Sequence, residues 1–386
     1  MSASASRPLR IVQAAAFPFP SPQGSQVYVR GMARALARRG HEVVVACYAH
    51  GLGEPDPEYR VVRTPAVPGY RNLRAGPDPV KPLLDAALAL RLLRIPADLV
   101  HAHNYEAPLA AALARRLNGV PMVYGAHNTM SDELHTYFRS APAQVLARRL
   151  GHALDRVVPR LADHAVVLSE GAVGRLHALG CGRVSHVAPG IEPEDLEPVA
   201  PAPLPPGPWV VYAGNPDRYQ DLDVLLAAMH RLPQARLLMV SASPLDAWQP
   251  LAPASARFVV TDDFARVRAL LQAADLAALP RAVCGGFPMK LLNYLGMGLP
   301  TVAARGGAPA LPGVVRVPDR DPLAMAAALQ DLLARPTARR ALGAQGRQHV
   351  LTRCTWAARA AELEEVYGAV LDRKRGPRAG STPLAL

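Results

Sequence analysis

The chain has 386 residues, of which 50% are hydrophobic and 5% aromatic. This length suffices for two domains that each bury a core, and no apolar run approaches the roughly 18 residues of a membrane-spanning helix. The formal net charge of +12 favours anionic ligands or an anionic surface. Because the basic residues are dispersed and aromatic residues are scarce, we do not expect a nucleic-acid partner.

The cysteines and the N-terminus favour a cytoplasmic protein. Four cysteines, Cys47, Cys181, Cys284 and Cys354, are scattered without the spacing of metal ligands, which fits a reducing compartment and predicts no metal site. The first residues lack the apolar core and cleavage pattern of a signal peptide, so none is expected.

Strands and helices alternate through the first half of the chain. Short apolar runs such as LRIVQA and EVVVAC predict strands, at 9–14, 42–47, 98–103, 122–126, 164–168 and 184–188. A first helix is predicted over 26–39, ended by Gly40, and the Pro- and Gly-rich stretch 51–82 is predicted as loop. This alternation is typical of a parallel, doubly wound α/β sheet.

A proline-rich segment separates this region from a second one. Residues 193–208 hold seven prolines in sixteen positions, which predicts a stiff, extended linker without helix. The alternation restarts with WVVYAG at 209 and runs through VVRV at 314–317. We therefore predict an α/β protein with two Rossmann-like domains, 1–192 and 209–354, that face a cleft in which the ligands bind. A final helix is predicted over 355–371, and it could pack on the first domain. A basic, flexible tail is predicted over 372–386.

The segment 284–304, CGGFPMKLLNYLGMGLPTVAA, predicts a phosphate site. Gly285 and Gly286 carry no Cβ, so their backbone can approach a ligand closely. Pro288 suits a first helical position, and the N–H groups of the next turn then point outward at the positive end of the helix dipole. Lys290, one of only three lysines in the chain, adds a full charge. A Gly-rich turn before a helix is also common in α/β proteins without a ligand, so the pattern alone does not decide.

Several segments, in their order and spacing, resemble glycosyltransferase family 4 over residues 9–367. They are FPFPSPQGSQVYVRGMARALARRGHEVVV, DLVHAHN, VYGAHNTMSDE, VVLSEGAVGRL, HVAPGIE, YAGNPDRYQDLDVLLAAM and GFPMKLLNYLGMGLPTVAA. The resemblance implies the GT-B fold and a retaining, metal-independent transferase that uses a sugar nucleotide as substrate and needs no cofactor. It implies transfer of a hexose from a UDP- or GDP-linked donor to a hydroxyl acceptor, in glycan, glycolipid or natural-product glycoside biosynthesis.

The resemblance and the residue chemistry together indicate the site. His127 is the candidate catalytic residue, in contact with the transferred sugar, and Asn293 can bond ribose hydroxyls through its amide. Acceptor-side residues are expected at His103, Asn104 and Asn128. Donor-binding residues are expected at Gly24, Ser25, Asn215, Arg218, Gln220, Gly285, Gly286, Phe287, Pro288, Lys290, Leu291 and Asn293.

The sequence departs from the family pattern at four positions. The usual two glutamates, eight positions apart, fall on Gly285 and Asn293, and the usual arginine and lysine of the second domain fall on Asn215 and Gln220. We expect Lys290 and Arg218 to replace part of the missing charge, which indicates a variant branch.

Two alternatives stay open. A catalytically silent relative could act as a nucleotide-binding scaffold or regulator, and a sugar-nucleotide 2-epimerase ranks behind it. A nicotinamide dehydrogenase is disfavoured, because no G-x-G-x-x-G follows the first strand.

A helix predicted over 143–161 carries Arg148, Arg149, Arg156 and Arg160 among leucines and valines. It could rest on an anionic membrane, at the inner face of the cytoplasmic membrane, where a lipid-linked acceptor is held. Packing of its leucines in the core, with the arginines in solvent, is the favoured interpretation.

Overall fold

The computed structural model describes residues 7–21, 24–54, 56–70, 72, 76–138, 140–283 and 286–375. The chain divides into two compact units. The first consists of Met1–Gly190 together with Trp356–Leu386, and the second of Ile191–Thr355. Each has its own parallel sheet and its own core.

The first unit contains a seven-stranded sheet in the order β3-β2-β1-β4-β5-β6-β7. Its strands are β1 Arg10–Ala15, β2 Glu42–Cys47, β3 Arg60–Arg63, β4 Leu99–His103, β5 Met122–Ala126, β6 His164–Val167 and β7 Val184–His186. Its first helices are α1 Gly24–Arg38, α2 Lys81–Arg94, α3 Glu106–Asn118, α4 Met130–Glu133, α5 Ala141–Val157 and α6 Glu170–Ala178. The strand order reverses between β1 and β4, and ligands of doubly wound sheets bind at the carboxyl ends of the strands at such a point.

The second unit contains a six-stranded sheet in the order β10-β9-β8-β11-β12-β13. Its strands are β8 Trp209–Ala213, β9 Arg236–Ser241, β10 Arg257–Val260, β11 Leu276–Leu279, β12 Thr301–Ala304 and β13 Val314–Val317. Its helices are α7 Leu222–Met229, α8 Phe264–Gln272, α9 Met289–Gly296, α10 Pro322–Ala334 and α11 Pro336–Arg353. The order reverses between β8 and β11, so the predicted class of two doubly wound parallel sheets is confirmed.

The central strands are apolar because both faces of each sheet are covered. Five of the six residues of β1 and of β2 are buried, and all residues of β4, β5, β8 and β11 are. The polar exceptions matter for function. The strand register sets Gln13 of β1 beside His101 of β4, and His103 of β4 beside Gly125 of β5.

The last helix, α12 Trp356–Arg375, belongs to the first unit. The indole of Trp356 lies against α1 where Gly31 leaves room, since a Cβ on Gly31 would come 2.2 Å from Trp356 Cε2. Tyr367 on the same helix is fully buried. The helix therefore inserts one aromatic side chain beside the sheet and packs another on α1.

Two local predictions are wrong. The stretch 51–82, predicted as loop, contains β3, which pairs in parallel with β2. The segment 193–208 is not a helix-free spacer, because a 3-10 helix forms over Pro193–Leu196 and proline is tolerated at the start of a helix. Leu196 is only 1% exposed in the core of the second unit. The apolar residues between the prolines therefore fasten this segment to the second unit.

The favoured packing of α5 is also wrong. The face of α5 that is buried carries small or polar side chains, Ala147, Gly151 and Asp155. The larger apolar side chains are exposed, among them Leu146 at 68% and Leu150 at 53%. Gly151 permits this arrangement, because a Cβ there would lie 2.6 Å from the carbonyl oxygen of Met130. Among the described helices, none combines the length and the apolarity required to cross a lipid bilayer.

Candidate functional site

Five predicted residues meet at the carboxyl edge of the first sheet. Ser25 lies in the first turn of α1, Asn104 follows β4 with a left-handed φ of 62°, and His127 and Asn128 follow β5. Ser25 Oγ is 3.1 Å from His127 Nδ1 and 3.4 Å from Asn104 Oδ1. His103 Nδ1 is 3.0 Å from His127 Nε2. Thus Ser25, His103 and His127, from three separate elements, form one hydrogen-bonded cluster, and the Asn104 amide oxygen lies beside it.

From His127 a buried series of hydrogen bonds continues into the sheet. His103 Nε2 is 2.6 Å from Gln13 Oε1, and Gln13 Nε2 donates to the hydroxyl of Tyr367 at 3.4 Å. That hydroxyl is 2.8 Å from His101 Nδ1. We call this series the histidine chain; its members are Ser25, His127, His103, Gln13, Tyr367 and His101.

The Gln13 amide sets the direction of the histidine chain. Its oxygen faces His103 and can only accept, so His103 carries its proton on Nε2. His103 Nδ1 then accepts from His127 Nε2, which leaves His127 Nδ1 to accept from the Ser25 hydroxyl.

Burial keeps these imidazoles neutral. It lowers the pKa of His101 and the pKa of His127 to about 3. The pKa of His103 is lowered well below its ordinary value by burial and by the two neighbouring imidazoles. Tyr28 packs edge-on against His103 and His127, with ring centroids 5.9 and 4.9 Å away. The histidine chain can therefore orient protons at neutral pH while all its imidazoles stay uncharged.

His127 is 3% exposed, and both of its ring nitrogens have protein partners. In this arrangement His127 positions the Ser25 hydroxyl, which is half-buried at the sheet edge. At the other end, His101 Nε2 is buried without a hydrogen-bond partner and faces Gly125, where a Cβ would lie 2.9 Å from it.

The loop after β5 is held in place by Asp155 of α5. Its carboxylate accepts from the hydroxyl of Tyr105 at 2.7 Å and from the N–H of Met130 at 2.8 Å, and the same hydroxyl contacts the carbonyl oxygen of Asn128. The loop borders a cavity of about 470 Å³ within the first unit, and Ser25, Asn104 and Asn128 are among the residues that line it.

In the second unit, the predicted residues gather around Lys290. Its ammonium, in the first turn of α9, donates to the hydroxyl of Tyr212 at 2.7 Å and to Gln220 Oε1 at 3.0 Å. It also lies 4.4 Å from the centroid of the Tyr212 ring, a cation–π distance. Both groups are neutral, so neither cancels the charge. We call Lys290, Tyr212 and Gln220 the lysine cluster.

An exposed layer covers this cluster. Gln220 Nε2 donates to Asn215 Oδ1 at 2.8 Å, and Asn215 Nδ2 donates to the hydroxyl of Tyr219 at 2.6 Å. The guanidinium of Arg281 stacks on the Tyr219 ring at 4.8 Å. Arg218 is exposed on the same 3-10 helix as Tyr219 and Gln220.

The start of α9 differs in detail from the prediction. Pro288 is the N-cap in an extended conformation, not the first helical residue, which is Met289. Leu291 donates its N–H to the carbonyl oxygen of Pro288 at 2.8 Å, and its side chain is in the core. In this structure, therefore, neither the N–H nor the side chain of Leu291 is available to a ligand. Tyr294 ties α9 to the end of β8, since its hydroxyl accepts from the N–H of Ala213 at 2.7 Å.

The remaining predicted residues are less informative. Gly286 and Phe287 are half-buried before Pro288, and Asn293 is half-buried one turn after Lys290. Gly24 is exposed, and a Cβ there would meet no atom within 4 Å, so the protein itself does not require glycine at that position. Gly285 lies outside the described residues.

Comparison with known proteins agrees with this picture of two units. The sequence model of Glycosyltransferase Family 4 matches residues 22–195, which lie in the first unit except for the last five. That of Glycosyl transferases group 1 matches residues 207–335, in the second. The chain is a glycosyltransferase of the family 4 and group 1 type.

Two curated relatives of this glycosyltransferase span nearly the same length. It is 28% identical over 402 residues to the D-inositol 3-phosphate glycosyltransferase of Xylanimonas cellulosilytica, covering 91% of this chain and 93% of the relative. It is 24% identical over 395 residues to a glycogen synthase of Mycobacterium tuberculosis, covering 91% of each. The glycosyltransferase is therefore an enzyme of the hexosyltransferase class, as predicted.

Solved structures establish the fold. The sucrose-phosphate synthase of Thermosynechococcus elongatus matches with a TM-score of 0.78 at 20% identity, covering 94% of this chain and 99% of that one. Anabaena Alr3699/HepE, solved in complex with UDP-glucose, matches with a TM-score of 0.68 at 14% identity, covering 94% and 100%. The glycosyltransferase has the GT-B fold.

Sequence reasoning missed the residues that support both clusters in this glycosyltransferase. Gln13 and His101 are polar residues inside otherwise apolar strands, a signal that could have drawn attention to them. Tyr367 and Tyr212 gave no such signal, because a tyrosine in a helix or strand is ordinarily a core residue.

Proposed function

We propose that this glycosyltransferase moves a hexose from a UDP- or GDP-linked donor to a hydroxyl acceptor, in glycan, glycolipid or natural-product glycoside biosynthesis. The observation that carries the proposal is the lysine cluster. A full positive charge stands in the first turn of α9, and two of the groups that hold it, the Tyr212 hydroxyl and the Gln220 amide oxygen, are neutral. A diphosphate is the part of the donor that such a charge and the adjoining helix N-terminus would bind.

The lysine cluster also accounts for one of the departures from the family pattern, the glutamine at position 220. The family resemblance places a lysine at the position of Gln220. Here the ammonium of Lys290 lies 3.0 Å from Gln220 Oε1, so the charge reaches the same place from α9 instead of from the loop after β8. This exchange supports retained donor binding in a variant branch. The UDP-glucose in the Anabaena structure supports a nucleoside diphosphate sugar as donor.

In the proposed reaction, the acceptor oxygen forms a bond to the anomeric carbon as the bond from that carbon to the diphosphate breaks. The departing diphosphate takes the proton of the acceptor hydroxyl, so no strong protein base is required. Lys290 stabilises the charge that grows on the diphosphate. His127, the predicted catalytic residue, acts by holding the Ser25 hydroxyl toward the transferred sugar.

Isothermal titration of UDP and GDP tests the donor site. We expect one of them to bind, and Lys290→Ala to weaken it by about 10- to 150-fold, the equivalent of a charge-assisted bond of about 1.5–3 kcal/mol. Arg257→Ala, at an exposed position of β10, is the control that removes one positive charge elsewhere in the same unit. The assignment is wrong if neither nucleotide binds, or if Lys290→Ala binds as tightly as the unmodified protein.

A catalytically silent scaffold or regulator is the second candidate function. The observation that favours it is the presence of Gly285 and Asn293 where the family carries glutamates. Release of UDP from UDP-glucose or of GDP from GDP-mannose, even as slow hydrolysis, would count decisively against it. Nucleotide binding without any turnover of a donor panel would favour it.

We also propose a cytoplasmic location with peripheral contact at the inner face of the membrane. Buried free thiols at Cys47, Cys181 and Cys354 suit a reducing compartment. Four arginines on α5 and on the 3-10 helix that follows it, Arg148, Arg149, Arg156 and Arg160, are exposed, and such a basic surface attracts anionic lipid. Co-sedimentation with phosphatidylglycerol vesicles but not phosphatidylcholine vesicles, weakened by Arg148→Glu with Arg149→Glu, is the expected result. Equal binding to both lipids would contradict it.

A further inference from the structure

The cavity beside the histidine chain has a composition that restricts what it can hold. We propose that it is the acceptor site and that its acceptor is a hydroxyl-bearing molecule with an apolar body, aliphatic or aromatic. This rests on the proposed function, since it names the acceptor class of that reaction. The volume of about 470 Å³ lies within the range of about 300–1,000 Å³ that small-molecule sites occupy.

One wall of the cavity is apolar. Leu146, Leu150 and Leu154 of α5 form it together with Leu109 of α3 and Met130 of α4. Leu109, Leu146 and Leu150 are 43%, 68% and 53% exposed, so this wall is open to water. An apolar ligand body laid on it would remove that surface from solvent, which is the main source of affinity for such ligands.

The same cavity also has a polar part. Ser25, Asn104 and Asn128 line it, and Ser25 Oγ is held by His127. A hydroxyl placed there would find donors and acceptors in the amide groups and the serine. The cavity thus offers polar groups for the reacting hydroxyl and an apolar surface for the rest of the molecule.

The charged side chains of the lining are already paired. Lys81 Nζ contacts Glu106 at 3.2 Å, and Glu133 accepts from the hydroxyl of Tyr137 and from Asn128 Nδ2. Among the described residues that line the cavity there is no arginine and no histidine. Among the described lining residues, a phosphorylated acceptor such as the inositol 3-phosphate in the name of one relative would therefore find one cation, Lys81, which already contacts Glu106.

The apolar wall is built into the fold. Gly151 lets α5 approach the backbone of Met130, and Asp155 accepts from the N–H groups of Met130 and Ser131 at 2.8 and 3.0 Å. The buried face of α5 is therefore fixed by polar contacts and close backbone packing. Its leucines are left on the cavity side.

Titration of the full-length protein with simple alcohols tests this inference. The probes are 2-naphthol, followed by its own fluorescence, and n-octanol, followed by displacement of 2-naphthol; myo-inositol is the polar comparison. We expect at least one apolar alcohol to bind more tightly than myo-inositol. Comparison of 2-naphthol with n-octanol distinguishes an acceptor with an aromatic body from one with an alkyl body.

Two matched substitutions locate the binding. Leu150→Asp puts a carboxylate into the apolar wall, and Leu113→Asp makes the same change on α3 at a leucine of nearly equal exposure, 54% against 53%, that does not line the cavity. We expect Leu150→Asp to weaken binding of the apolar alcohol about tenfold, because the carboxylate would be desolvated against it, and Leu113→Asp to leave it unchanged. Leu146→Asp is a second wall variant should Leu150→Asp fail to fold.

UDP titration of the same preparations separates this inference from the proposed function. If UDP and GDP fail to bind while 2-naphthol binds, the proposed function fails. If a nucleotide binds but neither apolar alcohol does, if myo-inositol binds better than both, or if Leu150→Asp and Leu113→Asp behave alike, the inference is overturned.

Discussion

The two units place different chemistry at the same topological point. In the first, the sheet order reverses between β1 and β4, and the residues there form the histidine chain, neutral and buried except at Ser25. In the second, the order reverses between β8 and β11, and the half-buried Lys290 sets a full charge against Tyr212 of β8. The shared fold determines where a crevice forms, whereas the local side chains determine what it binds. Breaking the histidine chain should therefore cost stability, and breaking the lysine cluster should cost ligand affinity.

Acidification should produce the largest difference between the units. The folded-state pKa of His101 and of His127 is about 3, against about 6.5 in the unfolded chain. Between these values the unfolded state binds more protons, so stability is lost as the pH falls from about 6.5 toward 3. The slope is up to about 1.4 kcal/mol per pH unit for each histidine. The pKa of His164, also in the first unit, is lowered to about 4 by burial and adds to the effect.

Hydrogen exchange measured peptide by peptide at pH 7.5 and 5.0 is the appropriate measurement, because it reports each unit separately. Protection should fall more in β1, β4 and β5 than in β8 and β11. Equal loss in both units would mean that the buried imidazoles do not govern the acid response.

Gly125→Ala should disrupt the histidine chain by crowding. The added Cβ would lie 2.7 Å from His103 Nδ1 and 2.9 Å from His101 Nε2, so a destabilisation of about 1–3 kcal/mol is expected. Gly174→Ala on α6 of the same unit is the matched control, since a Cβ there meets nothing within 4 Å. It should be neutral or stabilising by up to about 1 kcal/mol. The urea concentrations at the unfolding midpoints of the two variants measure this difference in stability. Similar midpoints would argue against tight packing of the histidine chain around Gly125.

Tyr367→Phe should remove the central hydroxyl of the histidine chain. Gln13 Nε2 and His101 Nδ1 would both lose a buried partner, at a cost of about 1–3 kcal/mol. Tyr70→Phe is the control, because that hydroxyl contacts Asp78 at a half-exposed position. UDP affinity should not change in either variant, so a Tyr367→Phe protein of normal stability but weakened UDP binding would contradict the division of roles between the units.

The sequence predicted the strands well where apolar runs are short and bounded, as in β2 and β5, which begin and end at the predicted residues. It missed β3, because RVVR is bounded by charged residues within a Pro- and Gly-rich stretch. It predicted the wrong face of α5, since a helical period shows which residues share a face but not which face a neighbour covers. Sequence spacing gave no indication that Gln220 and Lys290 touch, because that contact depends on how α9 lies against the end of β8.

The smallest net effect is expected from moving the charge of the lysine cluster from position 290 to position 220. Gln220→Lys alone would set a second ammonium beside Lys290, where the two side chains are now 3.0 Å apart, and like charges at that distance repel. UDP affinity should fall severalfold. Gln220→Lys combined with Lys290→Leu removes the repulsion and returns the charge to the loop position typical of the family. Titration with UDP should then give an affinity within about threefold of the unmodified protein, far above that of Lys290→Leu alone, as expected for a strong pairwise coupling. If the double variant binds no better than Lys290→Leu, the charge is required on α9 itself, and its helix N-terminus contributes more than the position of the ammonium.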